Sequence, residues 1–115
     1  MNIERGDILF VDLEPVKGSE QGNKRPCLVV QNDIRNKFAP TTIIVPITTR
    51  LPDKEYPTSV IVDPSESGLK EKSAVLCYQI RTISVQNRVI KRIGRLASNT
   101  MEKVNEALKA TLALG

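Results

Sequence analysis

Short apolar runs, rich in Val and Ile and separated by Gly, Pro, Asn or Asp, dominate this sequence and restrict the folds open to it. Such runs are typical of β-strands, because branched side chains fit a pleated, half-buried surface. We expect strands at Asp7–Leu13, Pro26–Gln31, Thr42–Thr48, Ser59–Val62, Ala74–Tyr78, Ile80–Ser84 and Arg88–Leu96. Their close spacing favours a small barrel or a strongly bent sheet. Pro46 interrupts the third run, which predicts that this strand lies at an edge or is bulged there.

The end of the chain changes to a helical pattern. Apolar residues recur there at helical spacing, at Met101, Val104, Leu108 and Leu112. Asn99 and Glu102 are spaced as an N-cap residue and its partner three positions later. We therefore predict one amphipathic helix over Thr100–Leu114, packed on the sheet, and single helical turns at Ile34–Lys37 and Ser65–Leu69.

Length and composition limit the class of protein. The 115 residues suffice for a single domain, residues 1–115, and contain no run near the ~20 apolar residues of a membrane helix. The N-terminus lacks the layout of a signal peptide, so we expect a cytoplasmic protein without a membrane partner.

Several kinds of chemistry are disfavoured by the residue types. The chain has no histidine, which excludes His-based acid–base catalysis and His metal ligands. Cys27 and Cys77 stand alone in apolar runs, so we expect buried free thiols and no zinc or redox motif. No carboxylate cluster has metal-ligand spacing. We expect no metal and no cofactor.

Basic residues are unevenly distributed. The net charge is +4, and the segment Lys72–Met101 holds six basic residues and no acidic one. A basic face suits a polyanion such as nucleic acid, or an acidic protein. The charge bias is equally consistent with an ordinary solvated surface.

Two residues at strand ends are candidates for phosphate chemistry. Arg25 precedes Pro26 at the start of an apolar strand, after a long loop, Glu14–Lys24. A guanidinium fixed by a rigid strand can donate two hydrogen bonds to phosphate oxygens. The alternative is a structural salt bridge from Arg25 to Glu20 or Asp33. Thr48 closes another strand, where β-propensity alone also explains a threonine.

The order of these segments carries a resemblance to a known family. The matching segments are Arg5-Gly6-Asp7-Ile8, Gly18-Ser19-Glu20-Gln21-Gly22-Asn23-Lys24-Arg25-Pro26 running on to Asp33, Val45-Pro46-Ile47-Thr48, Gln79-Ile80-Arg81-Thr82-Ile83 and the terminal Ala110-Thr111-Leu112-Ala113-Leu114. Together they resemble the MazF/PemK family of toxin endoribonucleases, and most of all its MazF branch in Gram-positive bacteria, often called EndoA. The match covers nearly the whole chain.

This resemblance implies a fold, an activity and partners. It implies a mainly β chain with a C-terminal helix, folded as the SH3-like barrel of CcdB/PemK-type plasmid maintenance toxins, and a homodimer. Members cleave single-stranded RNA at short sequences without a metal and leave a 2′,3′-cyclic phosphate and a 5′-hydroxyl. An acidic MazE-like antitoxin holds them inactive.

The resemblance also assigns roles to residues. The family's catalytic arginine falls on Arg25, its catalytic threonine on Thr48, and a glutamate important in some members on Glu20. We expect RNA contacts from the polar and basic residues nearby: Lys17, Ser19, Gln21, Lys24, Thr49, Arg50, Tyr56, Gln79 and Arg81. Asn23 stands where many members have glycine. Because Asn tolerates positive φ, we expect the loop path to be kept.

Two other functions stay open on the sequence. CcdB-type gyrase poisons share the expected barrel, and fold does not fix function. A catalytically silent RNA-binding module is the second alternative. Arg25 and Thr48, together with the Gly-Ser-Glu-Gln loop that begins at Gly18, favour the ribonuclease.

Overall fold

The computed structural model describes residues 1–115 and contains the expected seven strands. The strands are β1 (Asp7–Asp12), β2 (Lys24–Val29), β3 (Thr41–Thr48), β4 (Ser59–Val62), β5 (Ser73–Leu76), β6 (Arg81–Ser84) and β7 (Val89–Arg95). The helices are α1 (Asp33–Phe38), α2 (Pro64–Ser67), α3 (Val85–Arg88) and α4 (Ser98–Leu112). The prediction of a mainly β chain ending in one long helix is confirmed. None of the helices has the length and apolar character needed to cross a membrane.

One strongly bent antiparallel sheet runs through the molecule. Its strand order is β4-β5-β3-β2-β1-β7, and β6 pairs with β3 beside this path. Strand β3 is central: it pairs with β2 on one side, and with β6 and then β5 on the other. The sheet therefore bends where β3 passes from β6 to β5.

Pro46 lies at that bend and not at a sheet edge. The last β3 residue paired with β6 is Ile44, and the first paired with β5 is Ile47. Proline has no backbone N–H to donate, so the gap between two partner strands is a position that tolerates it inside a sheet. Neither expected alternative, an edge strand or a bulge, is found: β3 has partners on both sides, its register with β2 is continuous, and it changes partner on the other side at the proline.

Both faces of the central strands are buried. On β1, Ile8 packs into one hydrophobic cluster, and the next residue, Leu9, packs into a second cluster on the other face. On β2 the same alternation places Leu28 in the first cluster and Cys27 in the second. Strands covered on both faces read as continuous apolar runs, which is why these segments are recognisable in the sequence.

Helix α4 covers the first cluster but begins earlier than expected. Its N-cap residue is Ala97, not Asn99, and no side chain caps it. Ala97 N–H donates to the Glu66 carbonyl at 2.8 Å, which turns the chain into the helix before Asn99 is reached. Val104 and Ala107 are buried against the sheet, whereas Leu112, expected in the apolar stripe, is 54% exposed.

The short helices cap connections between strands. Helices α1 and α2 lie within two residues of the expected helical turns. Helix α3 was not expected: the Ser84 hydroxyl accepts a hydrogen bond from Asn87 N–H at 3.3 Å and caps a single turn between β6 and β7. The four residues of α3 are too few to show a helical repeat of apolar and polar side chains, so the sequence does not predict this helix.

Candidate active site

Arg25 and Thr48 lie where the β2–β3 pairing ends. The last pair of that ladder at this end is Cys27 with Pro46, and each candidate stands two residues beyond it. From there β2 stays paired with β1, with Arg25 opposite Val11, while β3 pairs with β5. The two residues thus flank the point at which the strands separate.

The Arg25 side chain is held at one nitrogen and free at the others. Its Nε donates to the Gly22 carbonyl at 2.8 Å, whereas its two Nη groups make no hydrogen bond within the chain. Arg25 forms no ion pair with Glu20 or Asp33, so the structural salt bridge considered from the sequence is absent. An oriented guanidinium with two free Nη groups can donate both to one phosphate.

Asp33, the other expected salt-bridge partner, is engaged elsewhere. Its carboxylate accepts hydrogen bonds from Arg5 N–H at 2.6 Å and from the Asn36 amide at 3.2 Å. The hydrogen bond from the Arg5 backbone holds the pKa of Asp33 below its usual range, because it stabilises the charged form. Asp33 therefore anchors the N-terminal segment to α1 and leaves Arg25 uncompensated.

The Thr48 hydroxyl already accepts one hydrogen bond within the chain. Its Oγ1 accepts a hydrogen bond from Arg50 N–H at 3.1 Å. A hydroxyl that accepts one hydrogen bond keeps its own proton for donation. Thr48 can thus donate to an anionic oxygen placed between the separating strands, while Arg50 limits the rotation of its side chain.

The loop before Arg25 is organised by its own side chains. Glu20 Oε1 accepts a hydrogen bond from Lys17 N–H at 2.6 Å, and Glu20 N–H donates to the Lys17 carbonyl at 3.2 Å. The expected positive φ is found at Asn23, at 65°, so the loop keeps a path that glycine would also follow. Glu20 is exposed and does not contact Arg25.

A cavity of about 400 Å³ opens beside this loop. Polar groups converge on it from the loop and from the segment before β6, together with one aromatic ring. The lining residues are Leu13, Pro15, Glu20, Gln21, Ile44, Pro46, Tyr78, Gln79, Ile80 and Arg81. The cavity brings together four of the expected functional residues, Glu20, Gln21, Gln79 and Arg81, next to the bend at Pro46.

Gln79 and Arg81 use their polar atoms to hold the loop. Gln79 Oε1 accepts from Gln21 N–H at 3.3 Å, and Gln79 Nε2 donates to the Ser19 carbonyl at 3.2 Å. Arg81 Nη1 donates to the Leu13 carbonyl at 2.6 Å. We predicted both as RNA contacts, and in this structure both are bonded to the polypeptide.

The cysteine beside the site is not a nucleophile. Burial raises the pKa of the Cys27 thiol to about 12, although the charges of Arg25 and Arg81 act in the opposite direction. A buried neutral thiol is unreactive, because the thiolate is the nucleophilic form. Both cysteines are free and buried, as predicted. No group of three or more Cys, Asp and Glu side chains is arranged to hold a metal ion.

The other expected RNA contacts lie outside this cavity. Five of them are exposed on the loop or at strand ends: Lys17, Ser19, Lys24, Thr49 and Arg50. Tyr56 lines a separate cavity of about 480 Å³ between its own loop and α4, and its hydroxyl donates to Asp53 Oδ1 at 3.3 Å. Partial desolvation, followed by the neighbouring charge of Asp53, raises the pKa of Tyr56.

Much of the basic segment is bound within the chain. Asp7, nearly fully buried, pairs with Arg92 at 3.0 Å and with Arg95 at 2.8 Å. Arg88 donates to the carbonyls of Asp12 at 3.1 Å and Glu14 at 2.7 Å. The charge excess in the sequence therefore does not form one free basic face.

Two residues at the site were missed by sequence reasoning. Glu14 Oε2 accepts from Asn23 N–H at 2.5 Å and so closes the loop across its base. At Gly22, a Cβ would lie 2.4 Å from Glu14 Oε2 and 2.7 Å from Val16 Cγ2, so any other residue would displace the Glu14 carboxylate. The glycine is visible in the sequence, but nothing there shows which side chain crowds it.

Known proteins resemble this chain over almost its full length. Residues 4–112 match the family described as the PemK-like, MazF-like toxin of type II toxin-antitoxin systems. The chain belongs to this family. It is 47% identical to the endoribonuclease EndoA of Bacillus subtilis, over 99% of this chain and 97% of that protein. It is 40% identical to the endoribonuclease MazF of Staphylococcus saprophyticus, over 97% of this chain and 92% of that protein.

Solved structures of this toxin family share the fold. MazF from Deinococcus radiodurans superimposes with a TM-score of 0.84 at 23% identity, over 99% of both chains. A mycobacterial endoribonuclease in complex with its cognate antitoxin gives 0.81 at 26% identity, over 98% of this chain and 97% of that chain. The predicted CcdB/PemK-type toxin fold is confirmed.

Proposed function

We propose that this PemK/MazF toxin cleaves single-stranded RNA by attack of a ribose 2′-hydroxyl on the adjacent phosphate, with Arg25 and Thr48 as its catalytic residues. The attack forms a P–O2′ bond and breaks the P–O5′ bond, so the products are a 2′,3′-cyclic phosphate and a 5′-hydroxyl. The 2′-hydroxyl loses a proton, and the leaving 5′-oxygen gains one. Endoribonuclease activity agrees with the family and with the EndoA and MazF relatives.

The observation that carries the proposal is the free guanidinium fork of Arg25. With Nε held by Gly22, the two Nη groups are oriented before substrate arrives. Negative charge grows on the phosphoryl oxygens as the 2′-oxygen attacks, and donors that are already in place stabilise it without reorganising. Thr48 donates its hydroxyl to the same phosphate or to the 2′-oxygen.

Glu20 and solvent accept the proton from the 2′-hydroxyl and supply the proton to the 5′-oxygen. A guanidinium holds its protons too tightly to accept another group's proton, which makes Arg25 a poor base. Glu20 is the acidic residue of the loop that lines the cavity, and it is tied to the loop only through Lys17 N–H. Movement of Glu20 out of that hydrogen bond brings a carboxylate base toward bound RNA.

RNA is held by the residues around this centre. The exposed basic side chains Lys17, Lys24 and Arg50 contact phosphates, while Ser19, Gln21, Thr49 and Tyr56 supply polar or stacking contacts to the strand. Gln79 and Arg81 line the cavity that receives part of the RNA. The reaction needs neither a metal nor a cofactor.

The assembly follows that of the family. The chain, residues 1–115 as a single toxin domain, acts in the cytoplasm as a homodimer and is inhibited by a cognate acidic antitoxin. Complexes of family toxins with their antitoxins are known from mycobacteria and from Deinococcus radiodurans. An acidic, partly apolar segment that orders on binding would compete with RNA for Arg25.

Incubation of the purified protein with a long single-stranded RNA in EDTA tests this function. We expect cuts that leave cyclic phosphate and 5′-hydroxyl ends, mapped by end-specific ligation. Inhibition of gyrase without RNA cleavage would support the CcdB-type alternative. RNA binding without cleavage would support the silent module, and either result would overturn the proposal.

A further inference from the structure

We propose that Gln79 and Glu14 are positioning residues of RNA cleavage, which act through the Gly22 carbonyl to orient the guanidinium of Arg25. The inference rests on the proposed function and concerns how the site is held in place. Neither residue needs to touch RNA for this role.

The contact that orients Arg25 comes from the loop. Arg25 Nε donates to the Gly22 carbonyl at 2.8 Å, and this is the only side-chain hydrogen bond that Arg25 makes. The direction of the free Nη groups therefore depends on where the Gly22 carbonyl lies. A carbonyl in a mobile loop would not fix a guanidinium.

The two neighbours of Gly22 are clamped from opposite sides. On one side, Gln21 N–H donates to Gln79 Oε1 at 3.3 Å; on the other, Asn23 N–H donates to Glu14 Oε2 at 2.5 Å. The residue between them is Gly22, whose missing side chain leaves room for the Glu14 carboxylate. Glu14 thus holds the peptide unit that carries the Gly22 carbonyl, because that unit also contains Asn23 N–H, and Gln79 holds the peptide unit between Glu20 and Gln21.

Both clamping residues are themselves held by the protein body: Gln79 N–H donates to the Leu76 carbonyl at the end of β5 at 3.1 Å, and Glu14 is held through its backbone carbonyl. Gln79 Nε2 also donates to the Ser19 carbonyl at 3.2 Å, so its side-chain amide spans the loop with both ends engaged. The Glu14 carbonyl accepts from Arg88 at 2.7 Å, and the preceding carbonyl of Leu13 accepts from Arg81 at 2.6 Å. The loop is therefore held at its base by α3 and β6 and in its middle by Gln79.

This arrangement predicts that loss of a clamp lowers kcat and leaves RNA binding nearly unchanged. Displacement of a catalytic group by about an ångström can cost ~10²-fold in rate even when the substituted residue is remote from the chemistry. We expect Gln79→Met, which keeps the side-chain length and removes both hydrogen bonds, to lower kcat by ~10–100-fold. Binding of an RNA with a 2′-deoxy nucleotide at the mapped cut should change less than about twofold, because phosphate contacts stay available.

Matched variants separate positioning from general damage. Gln86→Met alters an exposed glutamine of α3 that makes no side-chain hydrogen bond, and it should leave kcat unchanged. Glu14→Gln keeps an oxygen that can accept from Asn23 N–H and should retain most activity, whereas Glu14→Ala should not. In an Arg25→Lys background, which lacks Nε, Gln79→Met should have no further effect on kcat.

The decisive measurement is the Nε–H signal of Arg25 in a 15N NMR spectrum, assigned by its loss in Arg25→Lys. We expect slow hydrogen exchange of this group in the wild type and faster exchange in Gln79→Met and Glu14→Ala. An unchanged exchange rate, or a Gln79→Met variant that weakens RNA binding at constant kcat, would overturn the proposal. If the wild type cut no RNA, the proposed function and the kinetic role would both fail, whereas the exchange measurement would still show whether Gln79 and Glu14 orient Arg25.

Discussion

Arg25 and Thr48 each stand two residues beyond Cys27 and Pro46, the last pair of the β2–β3 ladder. Opposed positions of an antiparallel pair share a face, so the guanidinium and the hydroxyl emerge on the same side where the strands part. A phosphate placed there meets donors from two strands that are fixed by their remaining partners, β1 and β5. The pair therefore depends on the scaffold and not on the loop alone.

Removal of either donor should slow cleavage strongly. Arg25→Ala should lower the cleavage rate by ~10²–10³-fold, the scale for losing one preorganised electrostatic donor, and Thr48→Ala should act in the same direction. The measurement is a single-turnover digest of RNA, with circular dichroism to establish folding. Thr58→Ala, in the exposed loop that joins β3 and β4, is the matched threonine control. Wild-type rates in folded Arg25→Ala and Thr48→Ala would contradict the site.

Cleavage should persist in EDTA and weaken with salt. The stabilising charge comes from side chains, so chelation should leave the rate unchanged. Each phosphate contact releases condensed counterions. The logarithm of the RNA association constant should therefore fall linearly with the logarithm of the salt concentration, and each contact on a single strand should add ~0.7 to the steepness of that slope. Lys24→Ala should reduce this slope. A strict requirement for Mg²⁺ in the digest would exclude the mechanism.

The parts of this molecule that the sequence predicts are those set by local pattern. Continuous apolar runs at Asp7–Asp12 and Thr41–Thr48 identify strands because both faces are buried. The helix begins at Ser98 and not at the predicted Thr100, because Ala97 N–H bonds to the distant Glu66 carbonyl and Ala97 takes the N-cap position expected for Asn99. Strand order likewise depends on contacts distant in sequence.

The candidate site likewise contains residues that the sequence indicates and contacts that it does not reveal. Arg25 and Thr48 are recognisable from motif and strand position. The clamps on the loop join Gln79 to Ser19 and Gln21, 60 and 58 positions away, and no local pattern reveals such pairs. Gln79 was expected as an RNA contact, which stays a prediction, and the sequence holds no local pattern that shows its hydrogen bonds to the loop.

Gly22→Ala should impair cleavage more than Gly18→Ala. A Cβ at Gly22 meets Glu14 Oε2 at 2.4 Å and Val16 Cγ2 at 2.7 Å, so the Glu14 carboxylate must move away and its hydrogen bond from Asn23 N–H is lost. At Gly18, where φ is 57°, nothing lies within 4 Å, so the cost is local backbone strain of ~1 kcal/mol. Comparison of kcat and thermal stability of the two variants tests this. Equal losses of kcat would show that the position of the Gly22 carbonyl is unimportant.

The two buried thiols should make the protein sensitive to alkaline pH. Burial raises the pKa of both Cys27 and Cys77 from 9.0 to about 12. A thiol whose pKa is higher in the folded state keeps its proton there after the unfolded chain has lost it. Between about pH 9 and 12, the free energy of unfolding should therefore fall as the pH rises, because the unfolded chain has lost thiol protons that the folded state keeps. Below pH 9 the thiols are neutral in both states and contribute no pH dependence.

Urea unfolding at several pH values checks this, with a Cys27→Ala/Cys77→Ala variant as the comparison because lysines and tyrosines titrate in the same range. The variant should be less stable at pH 7, where truncation of two buried side chains leaves small cavities. Its free energy of unfolding should decline less steeply above pH 9 than that of the wild type. In the native wild type, neither thiol should react with iodoacetamide at pH 8, whereas both should react in urea. Parallel stability curves above pH 9, or rapid alkylation of the native protein, would show that the thiols ionise in the folded state.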